Sequence, residues 1–364
     1  MMEALYRAWL RSVRGMTNLR MDILMEKNGP AREVHARAKS GDLMRSGALP
    51  NALYEELRRS ASSGALERLW EKLEKLGIRV CCPEDGDYPA LLKEMYDPPR
   101  VLFARGRGDL AKLSRAVAVV GSRNCSDYAR RMAGRISKNL AEANVTVVSG
   151  MAFGVDAAAH EGALQSGTDM ATVAVLASGV DRPSPAEHAG LYARILERGL
   201  VLSEQPVGHA ARAGDFPVRN RIIAGLSHGV FVAEARKKSG TWHTINFALD
   251  AGREVFALPG RAEDPCCEGS LAMLKEGAAL VTSAMDILAH FGWDGGHKAR
   301  QTVALSDEEQ RVVSCLKQRD MTADELFEQL RLPMNRLLSL LTNMALRGII
   351  ERKSCMEYHY IMEG

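Results

Sequence analysis

No stretch of this 364-residue chain approaches the roughly 18–20 uncharged apolar residues needed to span a bilayer. Its opening, MMEALYRAWLRSVRG, has no long apolar core ahead of a small-residue cleavage site, so a cytoplasmic protein without a membrane partner is expected. Cysteines number seven and scatter as Cys81-Cys82, Cys125, Cys266-Cys267, Cys315 and Cys355. There is no CxxC and no closely spaced Cys/His set, which speaks against a zinc ribbon and a disulfide framework and for reduced, mostly buried thiols. A GxGxxG fingerprint is missing as well. The glycine turn after one apolar strand reads GSRNCSD, without the second and third glycines that let a pyrophosphate approach, so a nicotinamide cofactor is disfavoured and no cofactor is assigned.

Charge of one sign is also scarce. The net charge is only +3, and residues 306–364 hold 8 Lys+Arg against 10 Asp+Glu, so no region forms a basic arm. Any nucleic-acid binding must come from a local patch rather than from the overall field. What the chain does have is ample core material, with 46% hydrophobic residues over a length that suits two or three domains.

Residues 1–77 read as a small helical domain, with Leu66, Leu69, Trp70, Leu73 and Leu76 at helical spacing. The segment from Gly77 to Gly106 offers a short strand, proline-punctuated turns and a second apolar run, which suits a connector packed on the next domain. From Val117 the rhythm changes to VAVV, TVVS, ATVAVL, GLVLS, GVFVA, REVFAL and AALVT, separated by helix-length segments. Strands this uniformly apolar are covered on both faces, so residues 78–291 are expected to form an extended, Rossmann-like, doubly wound and mostly parallel α/β sheet. Residues 292–305 are glycine-rich and polar, a linker. Ser306 with Glu309 and Thr322 with Glu325 have capping-box spacing, a third helix is expected near 334–347, and IIERKSCMEYHYI reads as a hairpin; residues 306–364 therefore predict a winged-helix domain.

Four post-strand loops could carry chemistry, and a parallel sheet gathers such loops on one rim. Gly121-Ser122-Arg123 is either a phosphate-holding turn or a tight turn with a solvated arginine. In SGMAFGVDAAAH, Asp156 and His160 lie four apart; a base with its orienting partner is conceivable there, but loop-amide satisfaction by Asp156 is preferred because no nucleophile is framed. FPVRNRIIAGLS places Arg219, Asn220 and Arg221 in what reads as the first turn of a helix, where cations oppose the macrodipole. Either Glu204 or Glu234 neutralises them, or they await phosphodiesters while Phe216 stacks on a base. Finally, EARKKSGTWHT sets Arg236, Lys237 and Lys238 before Ser239, Gly240 and Thr244, as a solvated surface or as part of one patch.

VAVVGSR, SGMAFGVDAAAH, LSEQP, FPVRNRIIAGLS, VAEARKKSGTWHT and GREVFALPG, in this order, closely resemble the DNA-processing protein A family (DprA/Smf) over roughly residues 78–290. The resemblance implies a cytoplasmic, dimeric, non-catalytic protein that binds and protects single-stranded DNA and loads the RecA recombinase during natural transformation. Its DNA groove would use Ser122, Arg123, Gly150, Phe216, Arg219, Asn220, Arg221, Lys237, Lys238, Ser239, Gly240 and Thr244. The chain departs from the family pattern at Phe153, where arginine is common, at Ser184 and at Leu271. A helix-hairpin-helix trace survives only around Gly15, so no DNA contact is expected from residues 1–77. Two other readings compete. One is a nucleotide phosphoribohydrolase-like enzyme on the same scaffold, for which the PGGxGT loop is absent. The other is a winged-helix repressor, for which the third helix offers only Arg336 and Arg347.

Overall fold

The computed structural model describes residues 2–293, 306–317, 319–346, 349–352 and 357–360. These divide into two compact units, Met1–Trp293 and Asp294–Gly364.

The first unit opens with five helices: α1 (Met2–Ser12), α2 (Asn18–Asn28), α3 (Ala31–Ser40), α4 (Asn51–Ser62) and α5 (Ala65–Leu76). Thr17 caps α2 by accepting the Arg20 amide, satisfying one of the donors a helix start leaves open. Trp9 sits fully buried in their middle and donates its indole N–H to Ser60 Oγ at 2.9 Å. The apolar faces of these helices do not close on themselves. Trp9, Leu24 and Leu57 share one core with Phe103, Ala174 and Val201 of the sheet, so the expected boundary at residue 77 lies inside this unit.

Nine strands follow: β1 (Ile78–Cys81), β2 (Leu102–Arg105), β3 (Ala116–Gly121), β4 (Thr146–Ser149), β5 (Thr172–Val175), β6 (Leu200–Ser203), β7 (Gly229–Glu234), β8 (Glu254–Ala257) and β9 (Ala279–Leu280). All seven β-branched runs from Val117 onward are strands. The sheet order is β1-β2-β6-β5-β4-β3-β7-β8-β9, parallel from β6 to β9. Its antiparallel edge is made by β1 and β2, so the expected connector contributes two strands to the sheet.

The connecting helices are α6 (Ala90–Lys93), α7 (Asp127–Glu142), α8 (Val155–Gln165), α9 (Ala189–Arg198), α10 (Asp215–Gly225), α11 (Thr241–Asp250), α12 (Glu268–Lys275) and α13 (Ala284–His290). The period-2 alternation of a strand sends Val117 and Val119 to the core under α7, α8 and α13. Ala118 and Val120 go to the opposite core, under α10 and α11. The chain winds outward from β3 through β4, β5 and β6, then returns to lay β7 against the other side of β3. The winding therefore reverses between β3 and β7, and the crevice beyond their carboxyl ends is where open α/β sheets take ligands.

The second unit comprises α14 (Asp307–Leu316), β10 (Met321–Thr322), α15 (Ala323–Leu330), α16 (Met334–Leu346), β11 (Ile350–Arg352) and β12 (Glu357–Tyr360). Both capping boxes form, at Ser306/Glu309 and Thr322/Glu325. The expected hairpin gains β10 as a third strand, in the order β10-β12-β11. Arg336 donates to Glu308 at 3.0 Å, which leaves α16 little free positive charge for duplex readout. Arg347 and nearly all of the expected linker, residues 294–305, lie outside the described residues.

Candidate nucleic-acid interface

The crevice is built first by Glu234, at the end of β7. This buried carboxylate accepts the Ser126 amide at 3.1 Å and its hydroxyl at 2.5 Å, while Ser126 Oγ accepts the Ala129 amide, so Glu234 and Ser126 close the start of α7 together. Glu234 is therefore committed to this turn and neutralises neither arginine of FPVRNR. Its carbonyl takes the Ser122 amide at 2.9 Å, and the Ser122 carbonyl takes the Val155 amide at 3.2 Å. Three loops are locked together by these bonds. Gly154 has φ +77°, and a Cβ there would lie 2.5 Å from the Arg123 carbonyl oxygen, so glycine alone fits this junction.

Helix α10 starts at Asp215, one turn earlier than the sequence suggests. Pro217 occupies its first turn, where no amide donor is required, and Asp215 accepts the Arg212 amide and His209 Nε2, each at 2.8 Å. Arg219 and Arg221 thus fall in the second turn, and the expected conflict with the macrodipole at the first turn does not arise.

Two residues apart on a helix means about 200° of rotation, and the two arginines go to different places. Arg219, 6% exposed, donates from Nη1 to the Gly150 carbonyl at 2.8 Å and to the Val175 carbonyl, and from Nε to Asn220 Oδ1 at 3.1 Å. A Cβ on Gly150 would lie 2.5 Å from both terminal nitrogens of that guanidinium, so the glycine exists for the arginine. Asp156 Oδ2 accepts the Gly150 amide at 3.2 Å and the Ala152 amide at 3.4 Å, steering the peptide that holds Arg219. Burial lowers the Arg219 pKa to about 10, with Asp156 opposing and Arg123 adding to the shift; the group stays protonated at neutral pH. Burial likewise raises the Asp156 carboxyl, against the pull of Arg219 and the two amides.

His160 completes the floor without bonding Asp156. Its Nδ1 lies 2.6 Å from Thr172 Oγ1, and burial, then Arg219 and His188, push its pKa down to about 3. It is a neutral core histidine, not a base oriented by Asp156.

Arg221 departs from the expected groove. Its Nη2 pairs with Glu204 Oε2 at 2.6 Å, both side chains buried, and its Nη1 donates to the Asp97 carbonyl at 2.6 Å. Glu204 Oε1 in turn takes Asn18 Nδ2 at 2.9 Å. Arg221 therefore ties helix α2 to the sheet and lies outside the cavity wall.

That cavity has a volume of about 620 Å³ and lies beyond β3 and β7. Ser122, Arg123, Phe216, Arg219, Asn220, Ser239, Gly240 and Thr244 all line it, and Gly150 supports it from behind through Arg219. Arg123 lies over the Phe216 ring, 5.1 Å from its centroid. Thr244, in the first turn of α11, is 2% exposed. Lys237 and Lys238 are exposed on the same loop but do not form the wall. Asn124 and His243, which the sequence reading does not single out, line the cavity as well, and so does Arg236, weighed there with the two lysines as part of one patch. Arg236 opens the basic run that drew notice to the lysines, so the missing information was its direction. Among the lining residues, three arginines face a single carboxylate, Asp156.

Elsewhere Cys81, Asp85 and Asp87 cluster, where Cys81 Sγ donates to Asp87 Oδ1 and burial, then Asp87, raises the thiol pKa.

A doubly wound sheet whose switch-point cavity joins arginines, hydroxyls and an aromatic ring defines a Rossmann-fold protein with a basic crevice at the carboxyl ends of its strands. The chain belongs to the DNA recombination-mediator protein A family, whose profile matches residues 79–292, and the DprA winged-helix domain profile matches residues 296–354. DNA processing protein DprA of Streptococcus pneumoniae is 40% identical over 246 residues, covering 68% of this chain and 84% of the relative. The Bacillus subtilis protein of the same name is 33% identical, covering 66% and 82%. The solved Streptococcus pneumoniae structure superposes with a TM-score of 0.66 at 34% identity, covering 78% of this chain and 97% of that one. DNA processing protein A from Helicobacter pylori, solved for its single-stranded DNA binding mode, gives 0.53 at 26%, covering 60% and 96%.

Proposed function

We propose that this protein binds single-stranded DNA across the switch-point cavity, without catalysing a reaction, as a cytoplasmic DNA-processing factor. The observation that carries the reading is the convergence on one open cavity of Arg123, from the loop after β3, with Phe216 and Arg219, neighbours on the distant helix α10. Guanidinium groups hold phosphates, the ring and the Arg123 plane offer stacking surfaces, and neither reads base identity strongly. A purely electrostatic site would need no aromatic ring, and a compact nucleotide site would be expected to carry the glycine fingerprint that GSRNCSD lacks.

Binding rather than catalysis is favoured because Asp156 has one oxygen committed to two loop amides and His160 is fully buried, with Nδ1 on Thr172 Oγ1, out of reach of a ligand in the cavity. The same placement weakens the phosphoribohydrolase alternative. Family membership supports two further roles: protection of incoming strands, and their delivery as a homodimer to the RecA recombinase in transformation.

A gel-shift comparison of single- and double-stranded oligonucleotides across salt, with and without ATP-loaded RecA, tests the reading. Expected are preference for the single strand, affinity that falls steeply with salt, and faster RecA filament formation. Equal affinity for duplex and single strand would remove the proposal, and release of free base from a nucleoside monophosphate would replace it with an enzyme.

A further inference from the structure

Phe153 is a large apolar side chain left 45% exposed beside the cavity. A lone exposed hydrophobic residue ordinarily needs no explanation. Three features of its surroundings set this one apart.

Its position is fixed by its neighbours in sequence. Ala152 forms part of the cavity wall, and Gly154 packs against the Arg123 carbonyl so closely that a Cβ would not fit. Phe153 therefore stands on the rim, on the turn that touches the backbone of Arg123. Its ring is also held. His188 meets it with centroids 4.8 Å apart at 65°, an edge contact rather than a stack, and His188 Nδ1 is itself 2.9 Å from the Met151 carbonyl. A positioned ring has less rotamer freedom to lose on binding than a free one. Lastly, the same rim already carries one aromatic element, the Arg123–Phe216 pair, and the residue after Phe153, Gly154, abuts the Arg123 backbone.

We infer that Phe153 is a second stacking platform, on which a base of the bound strand rests next to the nucleotide held in the cavity. The inference rests on the single-strand reading above. It adds that the strand crosses the 152–154 turn, and that part of the affinity at this edge comes from stacking rather than from counterion release.

The test titrates wild-type protein and the variants Phe153→Ala, Phe153→Leu and Phe153→Trp with an oligothymidylate and with an abasic phosphodiester polymer of equal length. Phe153→Ala is expected to bind oligothymidylate roughly five- to a hundredfold more weakly, with the abasic polymer bound as by wild type. Phe153→Leu, which keeps apolar bulk against His188 without a π face, should fall with alanine, and Phe153→Trp should bind at least as tightly as wild type. Equal losses on both polymers, leucine behaving as phenylalanine, or no loss at all would overturn the inference while leaving the single-strand reading in place. Wild-type protein that binds neither polymer would overturn both.

Discussion

The guanidinium carbon of Arg123 lies 5.1 Å from the centroid of the Phe216 ring, joining the loop after β3 to the first turn of α10. Such a pair is worth about 0.5–1 kcal/mol at an exposed site. Its larger consequence is that each partner holds the other in a shape suited to a flat base. Alanine at either position should weaken oligonucleotide binding, and the double variant should lose less than the sum of the two. A double-mutant cycle read by fluorescence anisotropy checks this; strictly additive losses would mean that the two side chains act independently.

The Arg221–Glu204 pair predicts the opposite phenotype. Replacing Arg221 by methionine leaves the buried Glu204 carboxylate without its cation, a loss of about 3–5 kcal/mol by the usual behaviour of such pairs. Affinity for single-stranded DNA in the folded fraction should be unchanged, because Arg221 is absent from the cavity wall. Urea midpoints and binding isotherms on the same samples separate the two effects. Adding Glu204→Gln to Arg221→Met should recover part of the stability, since no uncompensated charge then remains buried.

How much of this could be read from sequence depended on the range of the information. The seven parallel strands were legible because each is a short apolar run with a covering helix on either side, a local signal. Strands β1 and β2 were harder, since IRVC and LFAR become strands by pairing antiparallel, with each other and with the distant β6. Eight of the twelve expected site residues line one cavity, because topology alone sends post-strand loops to a common edge. Sorting Arg219 from Arg221 was not possible beforehand. Both stand in the same motif, and only the position of Glu204, seventeen positions away in sequence, decides which one is neutralised. The start of α10 was misplaced for a local reason: Phe216-Pro217 looks like a lead-in, yet proline is well suited to a first helical turn.

His160 makes stability depend on pH. Its folded-state pKa, about 3, lies below the 6.5 of a free imidazole, so below pH 6.5 the unfolded chain takes up a proton that the folded one refuses. The stabilisation is complete above 6.5 and is lost progressively down to about 3, by about 1.4 kcal/mol per pH unit. Asp156 works in the other direction, because its raised carboxyl favours the folded state as acid is added. Replacing His160 by glutamine, which cannot titrate, should lower stability at pH 7 yet flatten its decline between pH 6.5 and 5. Chemical denaturation at both pH values measures the slope, and an unchanged slope would assign the acid limb to other groups.

Salt dependence distinguishes the wall cation from the rim cations on one loop. All three cations are exposed, but Arg236 lines the cavity and donates to Cys266 Sγ at 3.3 Å, whereas Lys237 and Lys238 lie outside the wall. Each phosphate contact on a single strand contributes about 0.7 to the slope of log K against log salt. Arg236→Ala should therefore reduce the slope by about 0.7, so that its loss of affinity is largest at low salt and shrinks as salt rises. Lys237→Ala with Lys238→Ala, which removes no group from the wall, should leave the slope nearly unchanged. If the lysine pair instead carried the slope change and Arg236 none, the strand would run over the outside of the loop, and the cavity would hold no more than its edge.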